Sequence, residues 1–145
     1  MPTRLASTRE LHCVVVAPGP SFQKFLNSQF YNDILHDLDL PIFGCGSVTK
    51  SMKCNYYAIN DKSNFGYLPN DGTLVIAHPR VWMETFIRWN PNLLFGGTSG
   101  GLALAAAASK YLNIGVVGFD DKLSNSFVTS MEREVFTYWS LQGRA

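Results

Sequence analysis

The chain has 145 residues, of which 46% are apolar and 16% charged, and its formal net charge is +1. This size and composition are typical of a globular domain with a buried core and exclude a disordered chain. The twelve basic residues are scattered along the chain, so no stripe of positive charge favours nucleic acid as a partner. No apolar run is long enough to span a membrane, so no membrane association is predicted.

The cysteines and the N-terminal residues indicate a cellular compartment. Cys13, Cys45 and Cys54 are odd in number and form no CxxC pair, and the first ten residues lack the apolar stretch of a signal peptide. We therefore expect reduced thiols in a cytoplasmic protein, packed as small hydrophobic side chains. No group of cysteine, histidine and acidic residues has metal-site spacing, so neither a metal nor a cofactor is predicted.

Short apolar runs rich in β-branched and aromatic residues alternate with helical patterns along the chain. A breaker cluster, Pro18-Gly19-Pro20-Ser21, follows the first run, and Ser21 is predicted to cap the first helix. The predicted elements, in chain order, are strand 12–17, helix 22–35, strands 41–46, 55–60 and 73–78, helices 81–89 and 102–112, strand 114–120 and helix 125–142.

This alternation predicts an α/β fold, a three-layer Rossmann-like sandwich with a mainly parallel sheet. No repeat or linker divides the chain, so residues 1–145 are predicted to form a single domain. In such sheets ligands bind in the crevice outside the carboxyl ends of the strands. The predicted strand ends are rich in glycine, hydroxyl, amide and charged residues, so this rim is the predicted site.

The glycine-rich segment 96–101, Gly-Gly-Thr-Ser-Gly-Gly, precedes an alanine-rich helix and is the most informative part of the rim. A helix N-terminus presents unpaired N–H groups and a partial positive charge, which favour a phosphate or carboxylate. Thr98 and Ser99 can cap this helix and also donate to ligand oxygens. Alternatively, the segment is only a tight loop with an N-cap. Its spacing differs from the Walker and dinucleotide-binding patterns, which disfavours kinase and dehydrogenase functions.

Other strand ends carry candidate side chains with open alternatives. Residues 18–21 offer a second phosphate or ribose contact, and Asn60 can bind a base or sugar, or simply close a turn. His78 can act as a general base or a phosphate donor, or pack without a chemical role. Asp120 and Asp121 can hold a sugar hydroxyl or a metal, or form an ordinary acidic loop.

Three segments occur in a recognisable order: Val-Val-Val-Ala-Pro-Gly-Pro-Ser at 14–21, Tyr-Ala-Ile-Asn-Asp-Lys-Ser at 57–63, and Thr-Ser-Gly at 98–100 followed by the alanine-rich helix and Gly-Phe-Asp at 118–120. Together they resemble the nucleotide-binding half of small bacterial sialyltransferases that use CMP-sialic acid, and the related pterin pyrophosphokinase-like domains. The resemblance implies nucleotide contacts and places Asp120 beside the sugar pocket. The implied contact residues are Gly19, Ser21, Asn60, Thr98, Ser99 and Gly100.

The chain departs from this family in two respects. Pro18 replaces an amide residue of the first turn, which removes a side-chain contact to the phosphates. The family's catalytic histidine follows the Gly-x-Asp strand, whereas here no histidine follows His78. Catalysis would therefore need another base such as His78, with Asp120 as the second candidate catalytic residue.

Three functions remain open at this point. The first is a minimal glycosyltransferase that uses a CMP-activated or similar donor. The second is a non-catalytic nucleotide-binding or sequestering module, and the third is a structural oligomeric protein. Phe136, Tyr138 and Trp139 lie in the predicted final helix in addition to its core face, so a homodimer is expected.

Overall fold

The structure is a computed structural model. It describes residues 10–77 and 99–119, and the backbone of 3–4, 87–88 and 137–140. The strands are β1 (Thr3–Arg4), β2 (Cys13–Val16), β3 (Ile42–Cys45), β4 (Tyr56–Ile59), β5 (Leu74–Ala77), β6 (Ile87–Arg88), β7 (Asn113–Val117) and β8 (Thr137–Ser140). The α-helices are α1 (Ser21–Leu26), α2 (Gln29–His36) and α3 (Ser99–Ala108), and 3₁₀ segments span Gly46–Lys50 and Lys62–Tyr67.

The strands form one sheet in the order β1-β8-β7-β2-β3-β4-β5-β6. From β7 to β6 each neighbouring pair is parallel, whereas β8 pairs antiparallel with both β7 and β1. The chain moves outward from β2 to β6 and returns to the other side of β2 as β7. The predicted α/β fold with a mainly parallel sheet is therefore confirmed.

Two helical layers cover the sheet, which makes the fold a Rossmann-like sandwich. Cys13 and Val15 of β2 pack in one core with the alanines of α3. Val14 and Val16 point to the other face, where they pack with Phe25 of α1 and with α2. This two-sided burial explains why the strand has a continuous apolar sequence rather than an alternating one.

The single helix predicted over 22–35 is instead two helices. Ser28 separates them: its hydroxyl donates to the Phe25 carbonyl at 2.6 Å and accepts from the Tyr31 N–H at 3.1 Å, which caps α2. Phe25 and Phe30 are both buried despite the break, with ring centroids 5.9 Å apart. Pro20 rather than Ser21 occupies the N-cap position of α1, and no side chain caps that helix.

The prediction of a helix over 125–142 is wrong at 137–140, where the chain forms β8. The sequence Thr-Tyr-Trp-Ser has high strand propensity, and its backbone pairs with β7, for example Trp139 opposite Ile114. The prediction of a helix over 81–89 is likewise wrong at Ile87–Arg88, which pair with β5. The other residues of both predicted helices lie outside the described residues.

Helix α3 begins three residues before the predicted start, so Ser99, Gly100 and Gly101 form its first turn rather than a preceding loop. Ala103 and Ala107 are fully buried, and their small side chains let the helix lie close to the sheet. Within the described residues, no helix has the length and apolar character needed to cross a membrane.

Candidate functional site

A cleft of about 290 Å³ opens where the predicted rim lies, at the carboxyl ends of β2, β3 and β4. The N-terminus of α3 forms one side of it, and the residues after β4 form another. The residues that line it include Pro18, Gly46, Asn60, Asn64, Ser99 and Phe119. The fold therefore brings Asn60, Ser99 and Gly100 together, as the sequence predicts.

The Ser99 hydroxyl joins three parts of the chain at the cleft. Its oxygen accepts a hydrogen bond from the Asn60 backbone N–H at 3.0 Å and another from Nδ2 of Asn64 at 3.1 Å. Asn60 is buried at the end of β4, and Asn64 lies in the following 3₁₀ segment. Ser99 therefore fixes the start of α3 against the end of β4.

Gly100 lets α3 approach the floor of the cleft closely. A Cβ atom at this position would lie 3.0 Å from the Phe119 ring and 3.8 Å from Sγ of Cys45. Phe119 is 1% exposed, so its ring has little room to move aside. Ser99 and Gly100 line the cleft, so the N-terminus of α3, with its partial positive charge, lies beside it.

The loop after β2 is bound to the end of β7. The Gly19 N–H donates to the Gly118 carbonyl at 2.7 Å, and the Gly118 N–H donates to the Ser21 hydroxyl at 2.8 Å. These contacts give Gly19 and Ser21 a structural role that sequence analysis missed. Neither residue is among those lining the cleft, whereas the adjacent Ala17 and Pro18 are. Ligand contacts of Gly19 and Ser21 stay predictions.

Tyr57 supports the part of the cleft that Gly46 lines, and sequence analysis did not identify this role. Its hydroxyl donates to the Gly46 carbonyl at 2.9 Å, and Gly46 adopts a φ of 60° beside Pro18. Burial raises the pKa of Tyr57 far above its ordinary value, so the phenol stays protonated and remains a donor. The glycines at the end of β3 were the sequence signal that the backbone there adopts a conformation that favours glycine, as Gly46 does.

The 3₁₀ segment Lys62–Tyr67 forms a wall that is anchored at both ends. At its start, the Asp61 carboxylate accepts from the Ser63 N–H at 3.0 Å. At its end, the Thr49 hydroxyl donates to the Tyr67 carbonyl at 2.7 Å, and Lys50 lies over the Tyr67 ring. Ser63 and Asn64 both line the cleft. Nothing in the sequence pattern singled out Asn64.

The described lining of the cleft contains polar residues and is mostly uncharged. Among its described lining residues Asp61 carries a charge and none is a lysine or arginine. Burial raises the pKa of the Cys45 thiol to about 12, and this thiol donates to the Val16 carbonyl at 3.7 Å. Cys45 is therefore a protonated, inert part of the floor rather than a nucleophile.

Three predicted site residues, His78, Thr98 and Asp120, lie outside the described residues, and their roles stay predictions. The described residues contain no group of three or more histidine, cysteine or acidic side chains able to hold a metal ion. Comparison of the chain with protein-family models, curated proteins and solved structures finds no match in any of the three.

Proposed function

We propose that the chain binds a phosphate-bearing nucleotide or nucleotide sugar in the cleft at the carboxyl ends of β2, β3 and β4. The observation that carries the proposal is the meeting of the α3 N-terminus with Asn60, Asn64 and the Ser99 hydroxyl in one cleft. Ligands of open α/β sheets bind at this edge, and a helix N-terminus favours an anionic group.

The ligand class is inferred from the shape and chemistry of the site together with the resemblance. A volume of about 290 Å³ is near the lower bound of ordinary small-molecule pockets. The resemblance to CMP-sialic-acid sialyltransferases favours a CMP-type ligand. Asn60 and Ser99, which that resemblance assigns to the nucleotide, are the residues that the fold joins by a hydrogen bond.

Two activities follow from this ligand. A sialyltransferase-like glycosyltransferase would need a base for the acceptor hydroxyl, and our candidates are His78 and Asp120. A non-catalytic nucleotide-binding or sequestering module needs no such group. The protonated Cys45 thiol cannot act as a base, which favours binding over proton abstraction by this residue. A cytoplasmic location and a homo-oligomer remain part of the proposal.

Binding is tested by a thermal-shift and calorimetry panel of CMP, CDP, UDP, GDP, AMP and their sugars. A ligand present at 100 times its dissociation constant stabilises the folded state by about 2.7 kcal/mol. We expect a cytidine nucleotide to give the largest shift. No shift with any nucleotide would contradict the proposed function.

The site is tested by a matched pair of glycine variants. Gly100→Ala places a methyl group 3.0 Å from the Phe119 ring, so that the ring or the first turn of α3 must shift, whereas a methyl group at Gly66 meets nothing within 4 Å. We expect Gly100→Ala to weaken nucleotide binding and Gly66→Ala to leave it unchanged. Equal affinities of both variants would place the ligand elsewhere.

A further inference from the structure

The Ser99 hydroxyl has a defined polarity in the structure. A serine oxygen has two acceptor lone pairs and one O–H donor. Both lone pairs are used, one by the Asn60 N–H and one by Nδ2 of Asn64. Across residues 10–77 and 99–119, no acceptor is found for its hydrogen. Ser99 lines the cleft, so the group that its hydroxyl can still offer to a ligand there is a donor.

Asn64 is held where it can impose this polarity. It lies in the middle of the anchored segment Lys62–Tyr67, which is capped by Asp61 at its start and tied by Thr49 at its end. The contact to Ser99 spans 35 residues of sequence. The amide therefore reaches the hydroxyl from a wall that is fixed independently of α3.

We propose that Asn64 is a positioning residue that fixes the Ser99 hydroxyl as a donor into the cleft, so that this point of the site selects an acceptor atom such as an unprotonated phosphate oxygen. The identity of the ligand rests on the proposed function. The polarity of the hydroxyl does not, because it follows from contacts made without ligand.

The proposal has a measurable consequence for selectivity. A hydrogen bond to a charged acceptor contributes about 1.5–3 kcal/mol, which corresponds to roughly 10- to 150-fold in affinity. CMP offers a phosphate oxygen to Ser99 and cytidine does not. The ratio of the CMP affinity to the cytidine affinity therefore measures the contribution of the Ser99 donor. General damage to the cleft would instead weaken the binding of both ligands equally.

The decisive variant is Asn64→Asp, compared with Ser63→Asp. The new carboxylate at position 64 accepts the Ser99 O–H and withdraws the donor from the cleft. The control places the same charge on the neighbouring cleft residue but leaves the Asn64 amide in place. Calorimetry with CMP and cytidine should show the affinity ratio falling by about tenfold or more for Asn64→Asp, and by clearly less for Ser63→Asp. Equal falls in the two variants would overturn the proposal.

A second measurement needs no ligand and so separates this proposal from the proposed function. In ¹⁵N-resolved NMR spectra of the free protein, the side-chain NH₂ resonances of Asn64 should shift in Ser99→Ala and stay unchanged in Ser63→Ala. An unshifted Asn64 amide in Ser99→Ala would overturn the positioning role, whether or not Asn64→Asp folds. If the wild type binds no nucleotide while the amide shifts, the proposed function fails and the positioning of Ser99 stands.

Discussion

Gly118 lies at the point where the loop after β2 meets the end of β7, and Gly118→Ala is the sharpest test of how this rim is built. The residue has a φ of 77°, a conformation that costs an L-residue about 1–2 kcal/mol. An added Cβ would overlap the Ala17 carbonyl oxygen and lie 2.6 Å from the carbonyl carbon. Both atoms are backbone, so no side chain can rotate away and the loop itself must move.

That movement breaks specific contacts. The hydrogen bond from Gly19 to Gly118 is 2.7 Å long and the one from Gly118 to the Ser21 hydroxyl is 2.8 Å. Loss of each hydrogen bond lowers the free energy of unfolding by about 0.5–1.5 kcal/mol. Together with the conformational cost, Gly118→Ala should lower the free energy of unfolding by about 2–5 kcal/mol, a large part of the 5–15 kcal/mol typical of a domain.

Two other glycines separate the cost of the backbone conformation from the cost of the close contact with Ala17. Gly72 has a φ of 90° but open space around it, and Gly66 has open space without a positive φ. Gly72→Ala should therefore lower the free energy of unfolding by about 1–2 kcal/mol, through the backbone conformation alone. Gly66→Ala should leave it unchanged or raise it by up to about 1 kcal/mol. Urea unfolding at constant m-value measures all three. If Gly118→Ala costs no more than Gly72→Ala, the close contact with Ala17 does not exist.

Three further outcomes are expected. Tyr57→Phe removes the hydrogen bond to Gly46 and should cost about 0.5–1.5 kcal/mol in urea unfolding; an unchanged midpoint would contradict the contact. Ser28→Ala removes the cap of α2 and should cost about 1 kcal/mol, whereas no loss would show that α1 and α2 need no separating cap. The three buried thiols have pKa values raised by burial from 9.0 to about 12. Above pH 9 the thiols of the unfolded chain lose their protons, whereas those of the folded chain retain them. The free energy of unfolding is therefore constant below pH 9 and falls above it by about 1.4 kcal/mol per pH unit for each thiol. Urea midpoints that do not change from pH 9 to 10.5 would contradict the burial of these thiols.

The sheet could be predicted because burial on both faces leaves a local signature. Val14, Val15 and Val16 form an unbroken apolar run, and each is fully buried in the structure. The position of the cleft followed from the rule for the carboxyl ends of parallel strands. The break at Ser28 could not be predicted in the same way, because Phe25 and Phe30 reach the core whether or not the helix is continuous.

The missed parts of the site depend on contacts between residues distant in sequence. The Ser21 hydroxyl bonds to Gly118 across 97 residues, and Asn64 bonds to Ser99 across 35. A serine at the end of a breaker cluster is locally a good helix cap, and only the folded chain shows that its oxygen accepts from Gly118, the residue after β7. The strand β8 was missed for a related reason. Its local sequence allows a helix or a strand, and pairing with β7 decides in favour of the strand.

The shape of the cleft and the stability of the core depend on the same close approach. The alanines of α3 let the helix lie close to β3 and β4, and that closeness leaves little room for a side chain at position 100, beside Phe119. The same approach brings the Ser99 hydroxyl to the end of β4, where the Asn60 N–H donates to it. A longer side chain on the buried face of α3 would therefore enlarge the gap at Ser99 as well as strain the core. The proposed binding and the folding would therefore be coupled at this helix, because Ser99 and Gly100, which line the cleft, are placed there partly by the apolar packing of α3.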